Sequence, residues 1–117
     1  MTSSLSHGIP SEKSWSLAIE SLVLMEKRRI NATLALSVCS PRRGEFSSAD
    51  LMAARRLIME TTRRQNWIDR LLNFMLAPRS IRNLGSKVRA FLRLYVYCIR
   101  FNGDNSEAKA IAIVRTG

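Results

Sequence analysis

Apolar residues in this chain recur at intervals of three and four, which keeps them on one side of an α-helix, and no segment sustains the strict alternation of a half-buried strand. Trp15, Ala18, Ile19, Leu22 and Met25 predict a first helix running to about Arg28. Ser11 serves as its N-cap, after a leader over residues 1–10 that is rich in serine and broken by Gly8 and Pro10. A weaker segment from Asn31 to about Ser37 places Leu34 and Ala35 inward and ends in the loop Ser40-Pro41-Arg42-Arg43-Gly44. Ser47-Ser48-Ala49-Asp50 then reads as a capping box, with Leu51, Ala54, Leu57, Ile58 and Thr61 on the face that follows.

Asn66 can cap a further helix whose buried stripe is Trp67, Ile68, Leu71, Leu72 and Met75, stopping at Ala77-Pro78. Residues 78–85 form a basic connection that ends at Gly85. The most regular pattern comes next, with Val88, Phe91, Leu92, Tyr95, Val96 and Ile99 predicted to face the core. Arg89, Arg93, Tyr97 and Arg100 make a second stripe about 125° away on the same helix. Asn102-Gly103 is a stop, and Asn105 caps a last helix carrying Ala108, Ile111, Ala112 and Val114. The expected class is all-α, one domain over residues 11–117.

Composition agrees with a folded domain: of 117 residues, 46% are hydrophobic and 24% charged, enough to bury one core. Charge changes the picture more. Lys and Arg number 19 against 9 acids, a net charge of +10, more than solubility asks of a small domain. Residues 61–102 hold nine of the basic residues and a single acid, Asp69. Most are arginines, whose planar fork suits phosphate oxygens, so a polyanionic partner is expected; charge alone does not choose among RNA, DNA and acidic lipid.

The candidate contacts are Arg28 and Arg29, Arg42 and Arg43, Arg63 and Arg64, Arg79, Arg82, Lys87, Arg89 and Arg100. Arg28-Arg29 and Arg63-Arg64 also sit at helix ends, where a cation steadies the dipole, so either role fits them. Arg93, flanked by Leu92 and Leu94, is expected to pair with Asp69 or Glu60. Tyr97 reads either as packing or as a surface for an unpaired base.

Other chemistry is thin. There is no Gly-rich phosphate loop, no GxSxG and no HExxH, so no enzyme and no cofactor is expected of these residues. Cys39 and Cys98, with one histidine, make neither a metal site nor a disulfide framework, which favours a reducing cytoplasmic setting. Phe91 to Phe101, the most apolar stretch, is cut by Arg93 and Arg100 and is too short for a membrane span.

Two runs carry a family likeness. Glu60-Thr61-Thr62-Arg63-Arg64-Gln65-Asn66-Trp67-Ile68-Asp69, followed by Arg89-Ala90-Phe91-Leu92-Arg93-Leu94, resembles the NusB-like domain over about residues 14–115. That family comprises the bacterial antitermination factor and the N-terminal domain of Sun/Fmu-type RNA cytosine-C5 methyltransferases. Glu60 stands where its pattern usually has Gly, and Cys98 where the methyltransferase branch often has Gln. The resemblance implies about seven helices in two packed bundles, with rRNA or tRNA held on a basic surface. It also implies a methyltransferase catalytic domain, or a transcription or ribosomal protein, as partner. The catalytic domain of that branch, with its S-adenosylmethionine site, is not among these residues, and the run Val114-Arg115-Thr116-Gly117 resembles the start of the linker toward it.

Overall fold

Five α-helices, a 3-10 turn and a π-turn make up the regular structure of residues 12–40 and 46–102, the residues that the computed structural model describes. Helix α1 (Glu12–Arg28) has an acid in its first turn and Lys27 and Arg28 in its last, the charge order that the helix dipole favours. The chain turns at Arg29, whose φ of 55° is left-handed. Helix α2 (Ala32–Cys39) follows at once, its N-cap Asn31 accepting the Leu34 N–H at 2.9 Å.

The expected capping box opens α3 (Ser48–Arg63): the Ser47 hydroxyl accepts the Asp50 N–H at 3.0 Å, and the Asp50 carboxylate accepts the Ser47 N–H at 3.3 Å. Helix α4 (Gln65–Leu76) starts one residue before the expected cap Asn66, because the chain never leaves its helical course at the junction. Arg64, with ψ of 12°, bends that course, while its N–H still donates to the Glu60 carbonyl and its carbonyl accepts the Ile68 N–H. The connection after α4 is pinned where Ile81 donates its N–H to Asn73 Oδ1 at 2.7 Å, and it forms a 3-10 turn, Ile81–Asn83. Gly85 then precedes α5 (Ser86–Tyr97), which runs into the π-turn Cys98–Asn102.

One core joins the five helices of the described residues, fewer than the roughly seven that the family resemblance implied. Helix α5 sits between α1, α3 and α4 and packs against each, while α1 also covers α2 and α3. Trp15 is fully buried, its ring 5.8 Å from that of Phe91, and Ile58, Ile68 and Leu94 are closed off completely. Each such side chain contributes about 1.5–3 kcal/mol by leaving water. The Ser14 hydroxyl donates to the Asp50 carbonyl at 3.3 Å, tying the start of α1 to the start of α3.

The central position of α5 forces its cations into pairs. Arg93 donates from Nε and Nη2 to the two carboxylate oxygens of Asp69 on α4, at 2.8 and 2.9 Å, as the sequence led one to expect. Arg89 donates to both oxygens of Glu26 on α1 and, from Nη1, to the Leu84 carbonyl at 2.7 Å. The two networks meet at Glu26, whose Oε2 lies 3.8 Å from Arg93. Both arginine side chains are mostly covered, at 17% and 14% exposure, so the carboxylates hold what water no longer solvates.

Several expected core positions are displaced. On α5 Val96 is buried as expected and Phe91, Leu92 and Tyr95 pack against the core, but Ala90, Leu94 and Tyr97 are buried as well, while Val88 and Ile99 are exposed. That second line lies about 160° around the helix from the centre of the expected stripe. The reason is that α5 meets neighbours on several sides. On α2, Ala32, Ala35 and Leu36 face inward and Leu34 is outside; on α4, Ile68 and Leu72 are buried but Trp67 and Met75 are not. The leader, the Ser11 cap, the loop with Arg42 and Arg43, and the helix after Asn105 lie outside the described residues. Among the described residues no helix is long and apolar enough to cross a membrane.

Asp69→Asn should lower the free energy of unfolding in urea by about 1.5–3 kcal/mol, the worth of a hydrogen bond to a charged group. A change within about 0.5 kcal/mol of zero would show that the Arg93 pair does not hold α4 to α5.

Candidate nucleic-acid interface

Once Arg89 and Arg93 are committed to Glu26 and Asp69, most of the other sequence-predicted cations among the described residues fall into two groups at opposite ends of α5. The first surrounds its N-terminus. Lys27, Arg28 and Arg29 end α1, Lys87 begins α5 and Arg82 lies in the 3-10 turn, all exposed. Arg89 draws these segments together, because its guanidinium joins Glu26, beside Lys27, to the carbonyl of Leu84. Lys27 and Lys87 line one cavity of about 580 Å³ with an apolar wall of Ile19, Val23, Leu24 and Val38.

Arg29 has a backbone cost that bears on its role. A non-glycine residue at φ 55° is disfavoured by about 1 kcal/mol, and glycine would relax this turn.

The second group, at the other end of α5, interleaves arginine with aromatic rings. Trp67 on α4 and Phe101 in the π-turn meet edge to face, with centroids 5.4 Å apart, and both stay nearly half exposed, at 42% and 43%. The Arg100 guanidinium lies 5.7 Å from the Trp67 ring, and that of Arg64 lies 4.7 Å from the Phe101 ring. Tyr97 stacks beneath Phe101 at 6.0 Å. Arg64 is partly covered and also pairs with Glu60, whereas Arg63 projects outward, 71% exposed, with Glu60 at 3.7 Å. The half-exposed rings of Trp67 and Phe101, with the Arg64 and Arg100 guanidiniums set against them, form a mixed aromatic and cationic surface of the kind that suits nucleic-acid contact.

The sequence-predicted residues therefore separate. Arg28, Arg29, Arg82 and Lys87 come together at one end, and Arg63, Arg64 and Arg100 at the other, about 20 Å along α5 from Lys87. Arg79 is exposed after α4, and no contact ties it to either group. Arg89, expected on the open basic face, is instead enclosed by Glu26 and two backbone carbonyls, and its role in this geometry is structural. Arg42 and Arg43 lie outside the described residues. Tyr97 is packing, at 5% exposure, and burial with nearby Glu60 pushes its phenol up from the ordinary value of 10.0. Burial likewise pushes the Cys39 thiol up, the opposite of what activates a nucleophile. Among the described residues no three of His, Cys, Asp or Glu gather as a metal would require.

No protein-family model matches the chain, and no curated protein does. Among solved structures the chain is similar to one in the crystal structure of a plectonemic RNA supercoil, with a TM-score of 0.80 and 22% identity. The match covers 89% of this chain and 76% of that one, and it establishes a shared fold.

Two outcomes follow from this geometry. Arg29→Gly should leave thermal stability unchanged or raise it by about 0.5–1 kcal/mol while weakening polyanion binding; a clear loss of stability would make Arg29 a structural residue. Because the Tyr97 phenol is raised in the fold, its contribution to stability is full below pH 10 and falls as pH rises beyond it. Tyr97→Phe should flatten that alkaline decline in a pH series of urea midpoints.

Proposed function

We propose that this chain is an RNA-binding module of NusB-like type, which docks rRNA or tRNA and presents it to a cytosine-C5 methyltransferase domain or partner. The observation that carries the reading is the half-exposed pair Trp67 and Phe101, with Arg100 beside Trp67, Arg64 beside Phe101, and Glu60 as the acid paired with Arg63 and Arg64. Stacking on aromatic faces suits unpaired bases, and the arginines suit the phosphates beside them. The second basic group, Lys27 to Arg29 with Lys87 and Arg82, extends the same chemistry to the far end of α5 and would fix the register of a strand spanning both.

Support from relatives is of two kinds. The two sequence runs that resemble the NusB-like domain include Arg63, Arg64 and Trp67, residues that stand in the aromatic cluster. The structurally similar chain comes from a crystal structure whose subject is RNA. Binding here is read as non-catalytic: the arrangement holds a nucleic acid and supplies no nucleophile or general base.

The test is a salt series with single-stranded RNA, structured RNA and duplex DNA of equal length, followed by fluorescence anisotropy. The expected result is preference for RNA with unpaired bases and a log–log salt slope of about −0.7 for each phosphate neutralised. Trp67→Ala should cost about 1–3 kcal/mol in RNA affinity and leave the salt slope unchanged, whereas Arg100→Ala should make the slope shallower. Equal affinity for duplex DNA, or indifference to both substitutions, would remove the reading.

A further inference from the structure

An overlapping surface carries a pattern that phosphate binding does not use. On the outer side of α3, Met52, Arg56, Met59 and Arg63 follow one another at intervals of four, three and four, within an arc of about 60°. Across the bend at Arg64 the intervals continue on α4 through Trp67, Arg70 and Phe74. Apolar residues and arginines therefore take turns on the outer face of each helix, at the three-and-four spacing that keeps them on one side.

The apolar members are well exposed, with Met52 at 72% and Phe74 at 81%. Arg56 and Arg70 are exposed and make no ion pair among the described residues. Of the two acids in the middle of these helices, Asp69 is turned to Arg93, and Glu60 pairs with Arg64 and, at 3.7 Å, with Arg63 of this face. Arg56 and Arg70 have no such carboxylate.

The interleaving selects the occupant. RNA would satisfy the arginines and gain nothing from two methionines and Phe74. A bilayer favours apolar and cationic residues on separate sides of a helix, and here they share one line. A second copy of the chain would set arginine against arginine. A partner helix that alternates acid and apolar residues at the same spacing meets every position, and methionine adapts its shape to such a ridge.

We propose that the outer face of α3 and α4 is a docking surface for an amphipathic helix of another protein, whose carboxylates and apolar side chains alternate along one line at three-and-four spacing. This goes beyond the RNA reading; it shares Arg63 and Trp67 with it, so the test rests on Arg56, Arg70 and Phe74, which have no part there.

The experiment uses the full chain without RNA and two designed helical peptides of one composition. One alternates Leu and Glu along a line at these intervals; the other places Leu and Glu on opposite sides. The alternating peptide should bind about tenfold tighter by fluorescence anisotropy. Arg56→Glu combined with Arg70→Glu should weaken it by about tenfold or more and gain affinity for the peptide carrying Lys in place of Glu. Phe74→Ser should weaken both; circular dichroism confirms that these surface variants remain helical. Equal binding of the two original peptides, or no gain from the exchanged charges, overturns the proposal. So does self-association or binding to phosphatidylserine vesicles that Phe74→Ser abolishes, if the alternating peptide fails to bind.

Discussion

Two arginines near the middle of this fold need anions, and meeting that need arranges most of what surrounds them. Helix α5 cannot enter the core with Arg89 and Arg93 unpaired, because the cost of stripping water from a guanidinium exceeds what its neighbours' packing returns. Asp69 answers from α4 and Glu26 from α1, so three helices that are distant in sequence are held in one order by two carboxylates. The Leu84 carbonyl completes the set and fixes the turn that feeds α5. Packing alone would tolerate some sliding of these helices, whereas paired forks meeting carboxylates permit one register.

The same pairing divides the basic residues by role. A chain with a net charge of +10 has cations to spare, but those on the central helix are used internally, and the ones left for a ligand sit at its two ends and on the outside of α3 and α4. This division joins fold to function: Glu26 and Asp69 determine which arginines are available, although neither faces the proposed ligand.

Much of the architecture was legible in the residues themselves. Ser47 to Asp50 announced a helix start because a capping box is a local device that neighbours cannot alter. Helix α5 was readable as an element but only in part of its buried surface, since a periodic stripe identifies the whole core face only when a helix has one neighbour. Helix α4 misled in the opposite way. Its apolar residues Trp67, Ile68, Leu71, Leu72, Phe74, Met75 and Leu76 span about 200° of its circumference, more than α5 and the adjoining segments cover, and Trp67, Phe74 and Met75 are left exposed.

The candidate interface was legible in part for the same reason. Arg63, Arg64 and Arg100 stood out by charge, but Trp67 was assigned to the core and Phe101 was passed over, because ring exposure depends on where α5 ends and the π-turn begins. The available signal was that excess of apolar residues on α4, with Arg63 and Arg70 beside Trp67 at helical spacing.

The shielding of Arg89 and Arg93 has a practical side. Enclosed ion pairs are far less sensitive to dissolved electrolyte than open ones. Concentrated sodium chloride that strips adhering polyanions from the outer arginines should spare the internal pairs, so the folded protein can be purified free of cellular nucleic acid in one chromatographic wash, without a denaturing step.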